Sequence, residues 1–249
     1  MTKRRSSGEG NTLVEKKARG ERRVVNDKFE EYRKVDPIQA KNEFQKKVLR
    51  SLVNNQITVV KAPAGTGKSF LCMGTAADWL VSGKIDSITI TRPAVGMGKT
   101  LGLLKGGLED KFNPYLAPLI DVFTQRYGVG RYETALNAGN IQTVPMEYMR
   151  GRNIRGVAII DESQNTTPEE MFSLITRVTE EGKLFIIGDP TQTDIKQENG
   201  LSWLFNFVEK HSLHEYIEII EATSDEIVRG GLCKAFVKAM EKENINEIN

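Results

Sequence analysis

Cysteine and histidine are nearly missing from this 249-residue chain, with two of each. Cys72 and Cys233 stand far apart and fit no metal-ligand spacing, so neither a disulfide framework nor a cysteine-held metal is expected. His211 and His214 have one spacing that metal sites use, but no Cys or acidic cluster accompanies them, and no metal role is expected of them either. Long hydrophobic runs are also absent. Nothing approaches the roughly 20 apolar residues of a membrane span. Met1 to Arg23 has no apolar segment of the kind that marks a secretory signal. These absences point to a cytoplasmic protein without membrane contact.

An excess of one charge is lacking too, with 35 Lys+Arg against 33 Asp+Glu. The balance hides an uneven distribution. Residues 1–34 carry 11 Lys/Arg and 6 Asp/Glu, whereas the remainder carries 24 and 27. The basic stretch has little hydrophobic periodicity, and such a composition cannot bury enough apolar surface to offset the ordering of the chain. Residues 1–35 are therefore expected to form a basic, disordered tail. It is either a solvated extension or an arm that attracts phosphate polymers non-specifically.

The pattern changes over residues 36–249. Short β-branched runs recur at Ile57–Val60, Ile88–Thr91, Ile141–Val144, Val157–Ile160, Leu184–Ile187 and Tyr216–Ile220. Between most of them lie amphipathic stretches of helical length: Ser69–Val81, Glu169–Thr179, Leu201–Glu209 and Glu226–Glu241. Buried strands alternating with helices predict one α/β domain, a mostly parallel sheet with helices on both faces. Gly96–Arg131, richer in Gly and aromatics, reads as a loop plus helix inserted after the second strand. Trp79 and Trp203 fall on apolar helical faces and read as core.

Three motifs carry chemistry. Ala62-Pro63-Ala64-Gly65-Thr66-Gly67-Lys68-Ser69 follows a β-branched run and opens a helical stretch, which is the setting a phosphate-binding loop requires. Its glycines allow backbone angles that turn N–H groups towards phosphate oxygens. The helix start adds partial positive charge. Lys68 would reach the β- and γ-phosphates and the Ser69 hydroxyl would ligate Mg²⁺. Ala62 stands where the pattern has Gly, and its methyl fits if that residue stays extended. Next, Val157–Ile160 runs into Asp161 and Glu162, so one carboxylate can face metal and the other water. Last, Leu184–Ile187 leads into Gly188-Asp189-Pro190-Thr191-Gln192, where Gln192 can bridge attacking water and γ-phosphate. The ends of parallel strands gather on one sheet edge, where ligands of open α/β sheets bind.

Together these motifs resemble the PhoH-like P-loop ATPases, a family related to superfamily 1 helicases. The resemblance rests on residues 62–69, Thr91–Val95, Gly102–Leu104, Asn113–Leu119, Tyr148–Arg152, Asp161–Pro168 and Gly188–Gln192, in family order. It implies a single RecA-like P-loop NTPase domain that binds ATP with Mg²⁺ and hydrolyses it, in a setting of RNA or single-stranded nucleic acid. By the same resemblance Lys68, Glu162, Gln192 and Arg229 are catalytic candidates, and Ser69 and Asp161 are the metal ligands. Gln45 is a candidate to recognise adenine through its side-chain amide. Arg92 either faces nucleic acid or forms a structural ion pair. Arg150 and Arg152 bind phosphate, act on a neighbouring site, or belong to a solvated loop. Family members with a ribonuclease-like domain carry it upstream, and with about 35 residues ahead of the core that activity is not expected. The 57 residues after Gln192 leave no room for a second RecA-like domain, so a homo-oligomer is expected, a hexameric ring among the options, with a neighbour donating an Arg. The alternative to a nucleic-acid-coupled ATPase is an ATP-dependent switch or scaffold for a protein partner, with little turnover. A P-loop kinase is disfavoured, because Glu162 and Gln192 suit water activation.

Overall fold

The structure, a computed structural model, describes residues 35–93 and 108–248. The basic tail and the first part of the expected insertion lie outside the described residues. The six β-branched runs become six strands: β1 (Ile57–Lys61), β2 (Ile88–Thr91), β3 (Ile141–Thr143), β4 (Val157–Ile160), β5 (Lys183–Gly188) and β6 (Ile217–Glu221). All pair in parallel, in the order β3-β2-β4-β5-β1-β6.

Parallel strands need both faces covered, and the chain supplies two layers. On one face α1 (Glu43–Asn54), α2 (Lys68–Val81), α3 (Leu108–Tyr127) and α4 (Val129–Asn137) pack against Val60, Ile88, Ile90, Ile159, Phe185 and Ile187. On the other, α5 (Pro168–Ile175) and α6 (Gly200–His211) cover Val59, Ala158, Ile160, Leu184 and Ile186. Adjacent residues of one strand thus serve opposite layers, as the strand pleat dictates. Trp79 is buried edge-on to Phe185, with ring centroids 6.0 Å apart. Trp203 is packed against the second layer. No helix among the described residues is long and apolar enough to cross a membrane.

The sequence expectation fails at the last helix. The stretch from Glu226 is not helical: Ser224–Glu226 is a single 3₁₀ turn, closed by reciprocal bonds between Thr223 and Glu226, and Ile227 leaves it extended. The final helix, α7 (Gly231–Ile248), starts only after Gly230. Adjacent glycines are poor helix residues, and a turn capped by its own box ends locally. Arg229 is therefore placed in a connector rather than on a helix.

Register places the site. Lys61 of β1 pairs with Gly188 of β5, and Ile160 of β4 pairs with Ile186. The chain leaving β1, β5 and β4 therefore emerges from three neighbouring strands at one edge. The helix that follows β1 is fixed from its far end. Asp78 of α2 accepts from Arg126 Nε at 2.9 Å and from the Tyr127 hydroxyl at 2.7 Å, and Arg126 also donates to the Asp36 carbonyl at 3.1 Å. Burial, and donation to Asp78, push the Tyr127 hydroxyl up to about 12. Asp78→Asn removes the charge both donors use and is expected to cost about 1.5–3 kcal/mol of stability, read as a lower urea midpoint with the slope unchanged.

Candidate active site

The loop after β1 is shaped by two residues of positive φ, Gly65 at 86° and Gly67 at 91°. Ala62 is not among the residues of positive φ, and its N–H continues the ladder to the Gly188 carbonyl at 3.1 Å. The methyl at the first loop position thus sits in strand-like backbone, where it is tolerated. Three contacts hold the loop from outside. Val228 and Arg229 N–H both donate to the Gly65 carbonyl, at 3.0 and 3.2 Å. The Gln45 amide Nε2 donates to the Thr66 carbonyl at 2.9 Å. A trans peptide sets its N–H opposite its C=O, so pinning these two carbonyls outward directs the Thr66 and Gly67 N–H groups to the other side. No side chain caps α2 at Gly67, which leaves its first N–H groups to the same space. Lys68 lies across the loop, with Nζ 3.3 Å from the Pro63 carbonyl.

Asp161 and Glu162 follow β4. Asp161 is 6% exposed, and its N–H is bonded to the Thr91 carbonyl at 3.1 Å. Burial foremost, then the adjacent Glu162 charge, push its carboxyl up to about 6, while Arg92 and Lys68 oppose the rise. Burial likewise pushes the Cys72 thiol up, with the Asp161 charge adding to the effect, so this cysteine is an unreactive core residue. Glu162 occupies the left-handed region at φ 53°, ψ 40°, a conformation that costs a non-glycine residue about 1 kcal/mol or more. Its carboxylate is held at both ends: Arg92 Nη2 lies 3.7 Å from Oε1, and Gln164 Nε2 donates to Oε2 at 2.5 Å.

Gln164 is the residue to which sequence reasoning gave no role. It is 0% exposed and joins the acidic pair to the loop after β5. Its Nε2 also reaches the Gln192 carbonyl at 3.3 Å, and its Oε1 accepts from Asp189 N–H at 3.1 Å. Asp189 in turn accepts from Gln192 Nε2 at 2.8 Å and from the Thr191 hydroxyl at 2.7 Å. Asn165 and Asp194 add a second pair of bonds, at 3.2 and 2.8 Å. The approach is close enough that a Cβ on Gly188 would lie 2.5 Å from Ser163 Oγ and 2.9 Å from Gln164 Oε1. Glu162 and Gln192 therefore belong to one bonded unit. The sequence signal for it was present in the Asp161–Pro168 motif, but only the register of β4 beside β5 shows what Gln164 touches.

The remaining candidates separate. Arg229 roots beside the loop, since its Cβ would be 3.0 Å from a Cβ on Gly65. Arg92 joins the site through Glu162 and donates to the Tyr115 carbonyl at 3.0 Å. Arg150 is exposed, and Arg152 bonds Gln142 on edge strand β3 at 3.3 Å. Three strands separate β3 from β1, so the bond to Gln142 places Arg152 away from the loop. Gln45 is 4% exposed, and its amide bonds the Lys41 N–H and the Thr66 carbonyl. His214 pairs with Glu209 at 3.3 Å, and no group of three or more metal-binding side chains occurs among the described residues.

The donor set fits a hard cation. Ser69 offers a half-buried hydroxyl and Asp161 a buried carboxylate, both oxygen donors of the kind Mg²⁺ takes alongside phosphate oxygens and water. Asp161 also sets a pH dependence. Its folded value lies above the ordinary carboxyl value of 3.8, so the folded chain binds the extra proton between the two values and stability falls as pH rises through about 4 to 6. Asp161→Asn lifts that penalty. In EDTA the variant is expected to be more stable than the parent at about pH 7, by at most about 3 kcal/mol, with the two melting curves converging near pH 4.

The PhoH-like protein family matches residues 37–241. A PhoH-like protein of Bacillus subtilis (strain 168) is 35% identical over 212 residues, 83% of this chain and 65% of that protein. Protein PhoH of Escherichia coli (strain K12) is 32% identical over 210 residues, 83% of this chain and 59% of that one. The chain thus spans 65% or less of the length of these two relatives. Among solved structures, the HK97 bacteriophage large terminase is similar at a TM-score of 0.49 and 14% identity, over 76% of this chain and 40% of that chain. The UvsW helicase from bacteriophage T4 gives 0.44 and 13%, over 80% and 67%. The family match spans the phosphate loop, the acidic pair and the Gln192 turn, and the chain belongs to the PhoH-like protein family.

Proposed function

We propose that the chain hydrolyses ATP by in-line attack of water on the γ-phosphate, and that RNA or another single-stranded nucleic acid governs the rate. The observation that carries this reading is the setting of Glu162. Its carboxylate stands next to the buried Asp161, in strained backbone, and is tied through Gln164 to the Gln192 turn. In the proposed reaction the loop amides and Lys68 hold the β- and γ-phosphates. Ser69 and Asp161 hold Mg²⁺, which when bound offsets phosphate charge. Glu162 orients the water and takes its proton, and Gln192 contacts the γ-phosphate. Positioning and electrostatics supply most of the acceleration in such reactions. Arg229, whose Cβ stands beside Gly65, is this reading's candidate for a charge-stabilising cation within the chain, and an Arg from a neighbour in a homo-oligomer is the competing arrangement.

Arg92 supports the nucleic-acid half. It follows β2 directly and faces Glu162, so a polyanion that draws on its guanidinium acts at once on the proposed base. A second reading, an ATP-dependent switch for a protein partner, is favoured by two observations. Both oxygens of Glu162 are held, which suits low turnover. In addition, Leu232, Phe236 and Met240 form an exposed stripe on α7, and the last two line a cleft of about 390 Å³ shared with Pro63 and Gln192.

Phosphate release, followed with and without single-stranded RNA, separates the readings. Glu162→Gln is expected to bind ATP normally and to lose at least about 100-fold in turnover. Arg92→Gln is expected to lose the response to RNA. Unchanged turnover in Glu162→Gln contradicts the hydrolytic assignment, and no turnover in the parent under either condition selects the switch.

A further inference from the structure

Gln45 stands at the first turn of α1, where Asn42 caps the helix by accepting from Gln45 N–H at 2.9 Å. Its side chain then turns back. Oε1 accepts from Lys41 N–H at 2.8 Å, and Nε2 donates to the Thr66 carbonyl at 2.9 Å. The first bond fixes the orientation of the amide. Turning it over would set Oε1 against the Thr66 carbonyl and the NH₂ group against the Lys41 N–H, two repulsive contacts in place of two bonds. A side chain that reads adenine needs a donor and an acceptor free together on one edge. In Gln45 one N–H and one carbonyl lone pair already serve the backbone, and the residue is only 4% exposed, which leaves the remaining amide edge little open space.

The bond to Thr66 has a direct consequence for the loop. The Thr66 carbonyl and the Gly67 N–H belong to one trans peptide, so drawing the carbonyl towards α1 sets that N–H towards the opposite, phosphate-facing side. Gly67 meets the requirement from its own end. Its φ is +91°, and a Cβ there would lie 2.9 Å from Gln45 Nε2. Loop and amide are thus built to touch, with glycine as the residue that permits it.

We infer that Gln45 is a positioning residue that braces the phosphate loop, and that it does not discriminate the base. This rests on residues 62–69 being a nucleoside-triphosphate site. Gln45 acts through the Gly67 N–H, so it strengthens binding of any triphosphate, and selection of the base falls to other groups. Isothermal titration of the full chain with Mg·ATP, Mg·GTP and inorganic tripolyphosphate tests this directly. Gln45→Met keeps the volume and loses both bonds. Gln45→Glu keeps the acceptor for Lys41 but sets a carboxylate oxygen against the Thr66 carbonyl. Melting curves confirm that each variant is folded. Gln45→Met is expected to weaken ATP, GTP and tripolyphosphate by a common factor of about 3 to 10, the effect of one net hydrogen bond, and Gln45→Glu by a larger common factor. Loss of ATP affinity with GTP and tripolyphosphate unchanged would overturn the inference and make Gln45 a base reader. Unchanged affinity for all three in folded variants would overturn it as well. A parent chain that binds none of the three would instead sink the triphosphate reading beneath it.

Discussion

Two outward-facing carbonyls organise this site. Gly65 is held by the connector ahead of α7, through the N–H groups of Val228 and Arg229, and Thr66 is held by Gln45 of α1. Neither anchor is adjacent to the loop in sequence, and both depend on elements packed around β1. Because each peptide is planar and trans, fixing two carbonyls also fixes two N–H groups. The concave surface of the loop is thus set by the domain around it. Preorganised dipoles of this kind avoid reorganisation when a charged ligand arrives.

The acidic pair shows the opposite balance. Burial pushes the Asp161 carboxyl up to about 6, so the folded chain carries an electrostatic cost at neutral pH. Lys68 and Arg92 reduce that cost without cancelling it. Glu162 adds backbone strain, and its neighbours hold both of its oxygens. A core selected for stability alone would not keep two adjacent carboxylates at the end of a fully buried strand. Local cost concentrated beside a phosphate loop is the pattern functional sites share.

Much of this was legible in the sequence because it depends on local chemistry. The six apolar runs became the six strands, since β-branched residues packed between two helical layers leave little other choice. Residues 62–69 and 161–162 announced themselves by type and spacing. Other features were hidden because they are properties of juxtaposition. Gln164 touches Glu162, Asp189 and Gln192 only because β4 lies beside β5. Resemblance made Gln45 a candidate base reader, and only the packing of α1 beside the loop shows that its amide donates to the Thr66 carbonyl. The stretch after Glu226 has helical periodicity, yet the Thr223–Glu226 box and the Gly230–Gly231 pair break it. That break is what allows Val228 and Arg229 to meet Gly65.

The account stands on the loop being a phosphate cradle completed by Lys68. Titration of Mg·ATP into the full chain and into Lys68→Ala measures this most directly. The account predicts saturable binding to the parent and a loss of about 10- to 100-fold in the variant, the effect of removing one charge-assisted contact. Equal affinity in a folded Lys68→Ala protein would contradict it.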